Sequence, residues 1–292
     1  RHDGFLSDLP KCGHYHTGAA ILPKPLGRYG EATTRIDEAL NHIAMELIGW
    51  FIFLSAVLVG SYIQAVVGFA LAMVVMAIGG ATGTVTLPVL TAASSIIAFV
   101  QVIFALKGQS SFVHRSIFSW MIAGQIPAIG IGVWFLTVLD RDAQWFLQML
   151  LGIFIIVGSS SMMIRPYPRH KVSTQRACLI AGIGGGLIGG MFSASGPIIG
   201  WFAYRQPLDL VVIRATMLAF FAVATFLRTT IVAVQGGITS EVLWLSVTSL
   251  PFVLIGVWLG RTFPPPVSDT LLKRGVFFVL LLMGLHIVIT TL

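Results

Sequence analysis

Charge is what this 292-residue chain has least of: 10% of its residues are Asp, Glu, Lys or Arg, 56% are hydrophobic, and the mean hydropathy is +0.91. Soluble domains carry about 25% charged residues, so a soluble enzyme, a disulfide scaffold and a disordered chain are all excluded. Cysteine is almost absent. Cys12 lies in a polar stretch and Cys178 inside an apolar run, so no disulfide framework is implied. Cys12, His14 and His16 fall within five residues but have no further ligands beside them, so no metal site is read, and nothing calls for a cofactor. No HExxH and no strand followed by GxxxxGK[ST] is present, which removes zinc-protease and nucleotide-binding chemistry. The net charge of +7 is not a nucleic-acid signal, because most Lys and Arg sit in short loops beside apolar segments.

Carboxylates are missing from the apolar interior. Past residue 46 the acids are Asp140, Asp142, Asp209, Glu241 and Asp269, each at or near the end of an apolar segment. A pathway for cations or protons commonly needs a carboxylate at membrane depth, since a bare positive charge in a low dielectric is costly.

What the chain does have is long apolar runs. They cover about 47–66, 70–78, 85–106, 117–139, 144–164, 177–191, 197–204, 210–234, 242–260 and 271–291, and a bilayer needs about 20 residues per helical crossing. The expected fold is therefore all-α and polytopic, embedded in a lipid bilayer. Residues 1–46 hold six of the eleven acids and no sustained periodicity, and read as a polar extension. Met45 is the first methionine, with no signal-peptide pattern before it, so Met45 is the expected physiological start.

Two places look broken. One is Gly68-Phe69; the other is Phe192-Ser193-Ala194-Ser195-Gly196-Pro197. Proline lacks an amide hydrogen and blocks the preceding turn, and unpaired backbone at membrane depth must face protein or a wet cavity. The chain also repeats. A shift of 124 residues sets Trp120 on Trp244, Pro127 on Pro251 and Ile131-Gly132-Val133-Trp134 on Ile255-Gly256-Val257-Trp258, with seven identities in the 24 pairs from Phe112 to Phe135. The same shift brings the two breaks together. The expected organisation is two membrane repeats, 47–164 and 177–292, joined by a basic linker, 165–176.

Charge placement bears on their relative orientation. If each broken segment is an in-line kink, each half crosses four times and the basic residues divide evenly between the two faces. If each is a re-entrant hairpin, each half crosses three times and the second is inverted. Only Arg141 is then left outside, against eleven Lys and Arg inside. The inverted reading is the expectation, and a plain eight-span bundle is its alternative.

The interior polar groups point to an anion. Arg228 lies midway along 210–234, accompanied by Gln64, Gln101, Gln125, Ser193, Ser195, Thr216 and Thr225. Discontinuous helices offer unpaired amides and the positive end of a dipole near the midplane. Pro197 suits a first helical position and Ser195 or Ser193 the cap before it. The candidate substrate-binding set is Gln64, Gly68, Phe69, Gln101, Ser193, Ser195, Gly196, Pro197, Thr216 and Arg228. Each has a structural reading beside it: Arg228 can pair with a carbonyl or snorkel, the glutamines can bond between helices, and the serines can satisfy broken backbone. Gly182, Gly186 and Gly190, at four-residue spacing, read as close helix packing. Trp134 and Trp258 read as interfacial or packing aromatics. An enzyme reading competes. Ser195-Gly196 with His286 is similar to the dyad of rhomboid intramembrane serine proteases, although Ser193 replaces the first glycine of their GxSG; labelling by a fluorophosphonate probe separates the two readings.

The chain from about 47 to 291 resembles the sulfite exporter TauE/SafE family of bacterial permeases. The resemblance rests on Gly60-Ser61-Tyr62-Ile63-Gln64-Ala65-Val66-Val67-Gly68-Phe69, on Gly182-Ile183-Gly184-Gly185-Gly186-Leu187-Ile188-Gly189-Gly190 running to Gly196-Pro197, on Arg214-Ala215-Thr216, and on Gly256-Val257-Trp258-Leu259-Gly260-Arg261. Ala70-Leu71-Ala72 and Phe192-Ser193-Ala194 stand where family members carry more glycine. The resemblance implies a secondary carrier, without an ATPase domain, for sulfite, a sulfonate or another organic anion, in the bacterial inner (cytoplasmic) membrane. Export would follow the inside-negative potential unaided, whereas import would need a coupling proton or sodium.

Overall fold

The computed structural model describes residues 48–82, 85–163, 169–263 and 269–292. The expectations for the N-terminal extension, Met45, Cys12, His14, His16 and the first part of the linker lie outside these residues. Among the described residues there are ten α-helices and no strand: α1 (Ile48–Val67), α2 (Leu71–Thr82), α3 (Leu87–Leu106), α4 (Arg115–Asp142), α5 (Gln144–Met163), α6 (Gln175–Phe192), α7 (Gly196–Ala203), α8 (Leu210–Val234), α9 (Ser240–Thr262) and α10 (Asp269–Thr291). A 3-10 turn, Ser110–Phe112, follows α3.

Each helix coincides with one apolar run, because in a continuous hydrophobic stretch the ends are set by caps and breakers. Pro88 sits in the first turn of α3 and Pro197 in that of α7, where a missing amide hydrogen costs nothing. Thr174 and Thr239 cap α6 and α9 by accepting from Ala177 N and Val242 N, and His114 Nδ1 accepts from Ile117 N at the start of α4. Helices α1, α3, α4, α5, α8 and α9 are long and apolar enough to cross a bilayer. Helices α2 and α7, of 12 and 8 residues, are too short. The protein's surface is apolar in turn: Trp134, Ile131, Trp258 and Ile255 are all exposed at equivalent places on α4 and α9.

Glycine sets which helices touch. A Cβ on Gly182 would strike Met121 O, one on Gly186 would lie 2.8 Å from Gln125 O, and one on Gly190 2.5 Å from Ile129 O. Helices α4 and α6 therefore meet backbone to backbone, as the four-residue glycine spacing implies. Gly256 and Gly260 do the same for α9 against Leu58, Ser61 and Tyr62 of α1, and Gly152 faces Gly284 between α5 and α10. Lipid tails match apolar side chains too well to drive helices together, so close packing has to do it.

Contacts fix the direction of the short helices. Gly189 meets Ser195, Gly185 meets Ile199 and Gly184 meets Ile198, while Ser173 exchanges hydrogen bonds with Gln206 at 2.9 and 3.0 Å. Helices α6 and α7 therefore form an antiparallel hairpin that turns at Ser193. In the first half, Gln101 Nε2 donates to Ser61 O at 3.0 Å. Further along both helices, Arg261 reaches Phe104 O and Ala105 O while its neighbour Gly260 packs on Tyr62 and Ala65. Helices α1 and α3 thus run in the same direction, and α2 returns between them.

Loop contacts gather one face. Arg169 N donates to Arg205 O at 2.8 Å, and His114 N to Thr216 Oγ1 at 3.0 Å. The helix ends carrying Arg115, Arg169, Arg205 and Arg214 are joined by these bonds. Arg141 is at the far end of the 28-residue α4.

Candidate functional site

At the second break, α6 ends at Phe192 and Ser193 takes a left-handed conformation, φ 57°, with its N–H on Gly189 O at 2.9 Å. Ser195 is the N-cap of α7 but makes no side-chain cap bond, so the first amides of α7 lack both an intrahelical acceptor and a cap oxygen. At the first break, Gly68 has φ +94° and its N–H on Gln64 O at 2.8 Å. Ala70, at φ 133°, holds a conformation that costs a non-glycine residue of order 1–3 kcal/mol. Here the helix start is capped from a distance: Leu71 N donates to Gln64 Oε1 at 3.0 Å.

Arg228 is 1% exposed. Its Nε donates to Gly190 O at 2.8 Å, and its Nη1 to Thr91 O at 2.8 Å and Ser95 Oγ at 2.6 Å. Ser95 Oγ donates to Thr91 O at 2.9 Å, which leaves Ser193 Oγ to donate to Ser95 Oγ at 3.0 Å. The guanidinium is thus tied to α3, to the end of α6 and, through Ser95, to the second break. Arg228 Nη2 has no partner among the described residues, and no carboxylate there pairs with the charge. An ion in a low dielectric that has neither a counter-charge nor a full set of acceptors is costly, so this one is held in place by carbonyls and left one donor short.

Both breaks and Arg228 line one small cavity of about 40 Å³, where a single water needs roughly 10–15 Å³. Of the ten candidate residues, Gln64, Phe69, Ser193, Ser195, Gly196 and Arg228 line it. The other four lie elsewhere. Gly68 packs beside Arg214, Pro197 rests on Gly158, and Gln101 bonds to Ser61 O. Thr216 accepts from His114 N near the start of α8. Phe69, Val102 and Gly196, each next to one of the first three in the chain, line the cavity instead. Sequence reasoning passed over Thr91 and Ser95. Their signal was two hydroxyl residues four apart, one face of a helix, inside the apolar run 85–106. Phe69 seals one side of the cavity. Its ring fills the space a Cβ on Gly196 or Gly200 would take and stacks on Phe277 with centroids 6.0 Å apart. Tyr204, tilted against Phe69, donates to Val67 O at 2.7 Å.

The dyad reading finds no geometry. Ser195 is 4% exposed inside the bundle, His286 is exposed on α10, and no hydrogen bond joins them.

Membrane-length helices packed around a small, carboxylate-free cavity bordered by two helix breaks define a multi-pass membrane transporter rather than an enzyme. The chain belongs to the sulfite exporter TauE/SafE family, whose model matches residues 52–287. It is 33% identical over 225 residues to the probable sulfite/organosulfonate exporter TauE of Cupriavidus necator, covering 77% of this chain and 88% of that protein. No solved structure gives a significant match.

Proposed function

We propose that the protein is a secondary transporter that moves a small anion, sulfite or an organosulfonate, across a bacterial cytoplasmic membrane by alternating access. The observation that carries the reading is the buried Arg228, which lines a cavity with no negative side chain and whose Nη2 has no partner among the described residues. A guanidinium that has spent its other donors on two carbonyls and a hydroxyl has the two N–H groups of Nη2 left to offer an oxyanion. The open end of α7 adds amides and the positive end of a dipole. The substrate class rests on the name of the Cupriavidus necator relative.

Alternating access is supported by the tightness of the site: a space of about 40 Å³, lined almost wholly by buried residues, leaves little room for an organosulfonate until the hairpins part. We also propose that the halves are inverted repeats. The order α1–α5 matches α6–α10 element for element under a shift of about 124 residues. With α1–α2 and α6–α7 as hairpins entering from opposite faces, the basic loops fall on one side, as the positive-inside rule requires. Export of an anion is then favoured by an inside-negative potential by about 2.3 kcal/mol per charge per 100 mV.

The test is efflux from proteoliposomes loaded with sulfite, thiosulfate or ethanesulfonate, comparing wild type with Arg228→Gln. Saturable efflux is expected from wild type, with loss in the variant. Equal rates in the two proteins remove Arg228 from the site.

A further inference from the structure

Gln64 is 6% exposed, lines the cavity and uses only one of its two polar atoms on the protein: Oε1 accepts from Leu71 N at 3.0 Å. An amide N–H can only donate, so the carboxamide is fixed with its oxygen on α2 and its Nε2 turned away from it. Nε2 has no partner among the described residues. Leu71 N is the first amide of α2, the positive end of that helix. Its pull on Oε1 polarises the carboxamide and sharpens the Nε2 hydrogens as donors.

We infer that Gln64 relays the N-terminus of α2 into the cavity and is, with Arg228, an obligatory donor to a multi-oxygen anion. Resting on the transporter reading above, this assigns the substrate class more narrowly. Residues of three separate helices line the same cavity: Gln64 of α1 and Arg228 of α8, each with an unpartnered donor atom, and Ser195 and Gly196 at the uncapped start of α7. Donors set at separate corners match the separate oxygens of a compact oxyanion and are poorly used by a single-atom halide. The α7 end faces the cavity directly, whereas the α2 end is covered and speaks through Gln64. The two breaks therefore contribute the same sign of charge by different atoms.

The test uses the full chain in proteoliposomes, with efflux of sulfite, thiosulfate, ethanesulfonate and chloride followed in parallel. Gln64→Glu keeps an acceptor for Leu71 N but turns a carboxylate oxygen into the cavity; Gln64→Met removes both functions without adding charge. Wild type is expected to move oxyanions faster than chloride. Losing a hydrogen bond to a charged group costs about 1.5–3 kcal/mol, so Gln64→Met is expected to slow the fastest oxyanion by about tenfold or more, and Gln64→Glu by more still. If either variant, recovered folded by its detergent melting curve, moves that oxyanion within about twofold of wild type, the inference is wrong. So it is if wild type moves chloride as fast. Loss in Arg228→Gln alone, with Gln64 variants active, sinks the relay and leaves the transporter reading standing; wild type moving no anion sinks both.

Discussion

The two helix breaks border one cavity but solve their backbone problem in opposite ways. The second ends α6 with a left-handed Ser193 and starts α7 uncapped, and ties itself by hydroxyls to the buried Arg228. The first caps α2 with the Gln64 side chain, carries its strain at Gly68 and Ala70, and inserts Phe69 across to Gly196 and Gly200. The two breaks thus do different work. The second break leaves its helix start open beside the charge, while the first shapes the space with Phe69 and reaches it through the Gln64 side chain. The asymmetry continues outward, since the 124-residue shift sets Phe104 opposite Arg228.

Substitutions break or sharpen this contrast in a definite order. The largest effect is expected at Arg228: Arg228→Gln removes the charge and its fork, and proteoliposome efflux of the favoured oxyanion should fall about a hundredfold. Arg228→Lys should recover a part of it only, because an ammonium has three N–H donors and the three protein acceptors, Gly190 O, Thr91 O and Ser95 Oγ, would take them all. Next comes the scaffold that both breaks share. Gly182→Ala drives a Cβ into Met121 O and should lower stability by about 1–3 kcal/mol in a detergent denaturation series, whereas Gly130→Ala meets nothing within 4 Å and should be neutral or slightly stabilising. Ser193→Ala loses the bond to Ser95 and should cost about 1 kcal/mol. Ser193→Gly loses the same bond but relaxes the left-handed backbone, so its melting point should lie above that of Ser193→Ala while its transport matches. The smallest effect belongs to the strained backbone of the first break: Ala70→Gly relieves φ 133° and should raise stability by about 1 kcal/mol with little change in efflux. If Ala70→Gly instead abolishes efflux, the strain is part of the transport cycle and the division of roles between the breaks fails.

Much of this was legible beforehand, for particular physical reasons. The helices were readable because a bilayer demands long apolar runs, and the breaks because Ser193, Ser195 and Pro197 interrupt one. Arg228 stood out as the sole cation amid an apolar span. The glycine spacing in α6 announced a close helix contact but gave no partner; Met121 and Gln125 of α4 became visible only in three dimensions. What composition could not supply was side-chain direction. Pro197 and Gly196 are adjacent, yet one rests on Gly158 and the other lines the cavity. Thr91 and Ser95 were hidden for the opposite reason: hydroxyls in a membrane helix usually satisfy their own backbone, and only the approach of Arg228 gives these two another task.

The glycine seams carry a consequence for biogenesis. Leu58 and Ser61 of α1 find their counterpart in Gly256 of α9, far along the chain. During synthesis the first helix enters the lipid long before its mate leaves the ribosome, so its matching surface must wait unoccupied while the intervening segments insert. A chain stalled before α9 would be fully embedded and still unfinished, a natural target for membrane quality control.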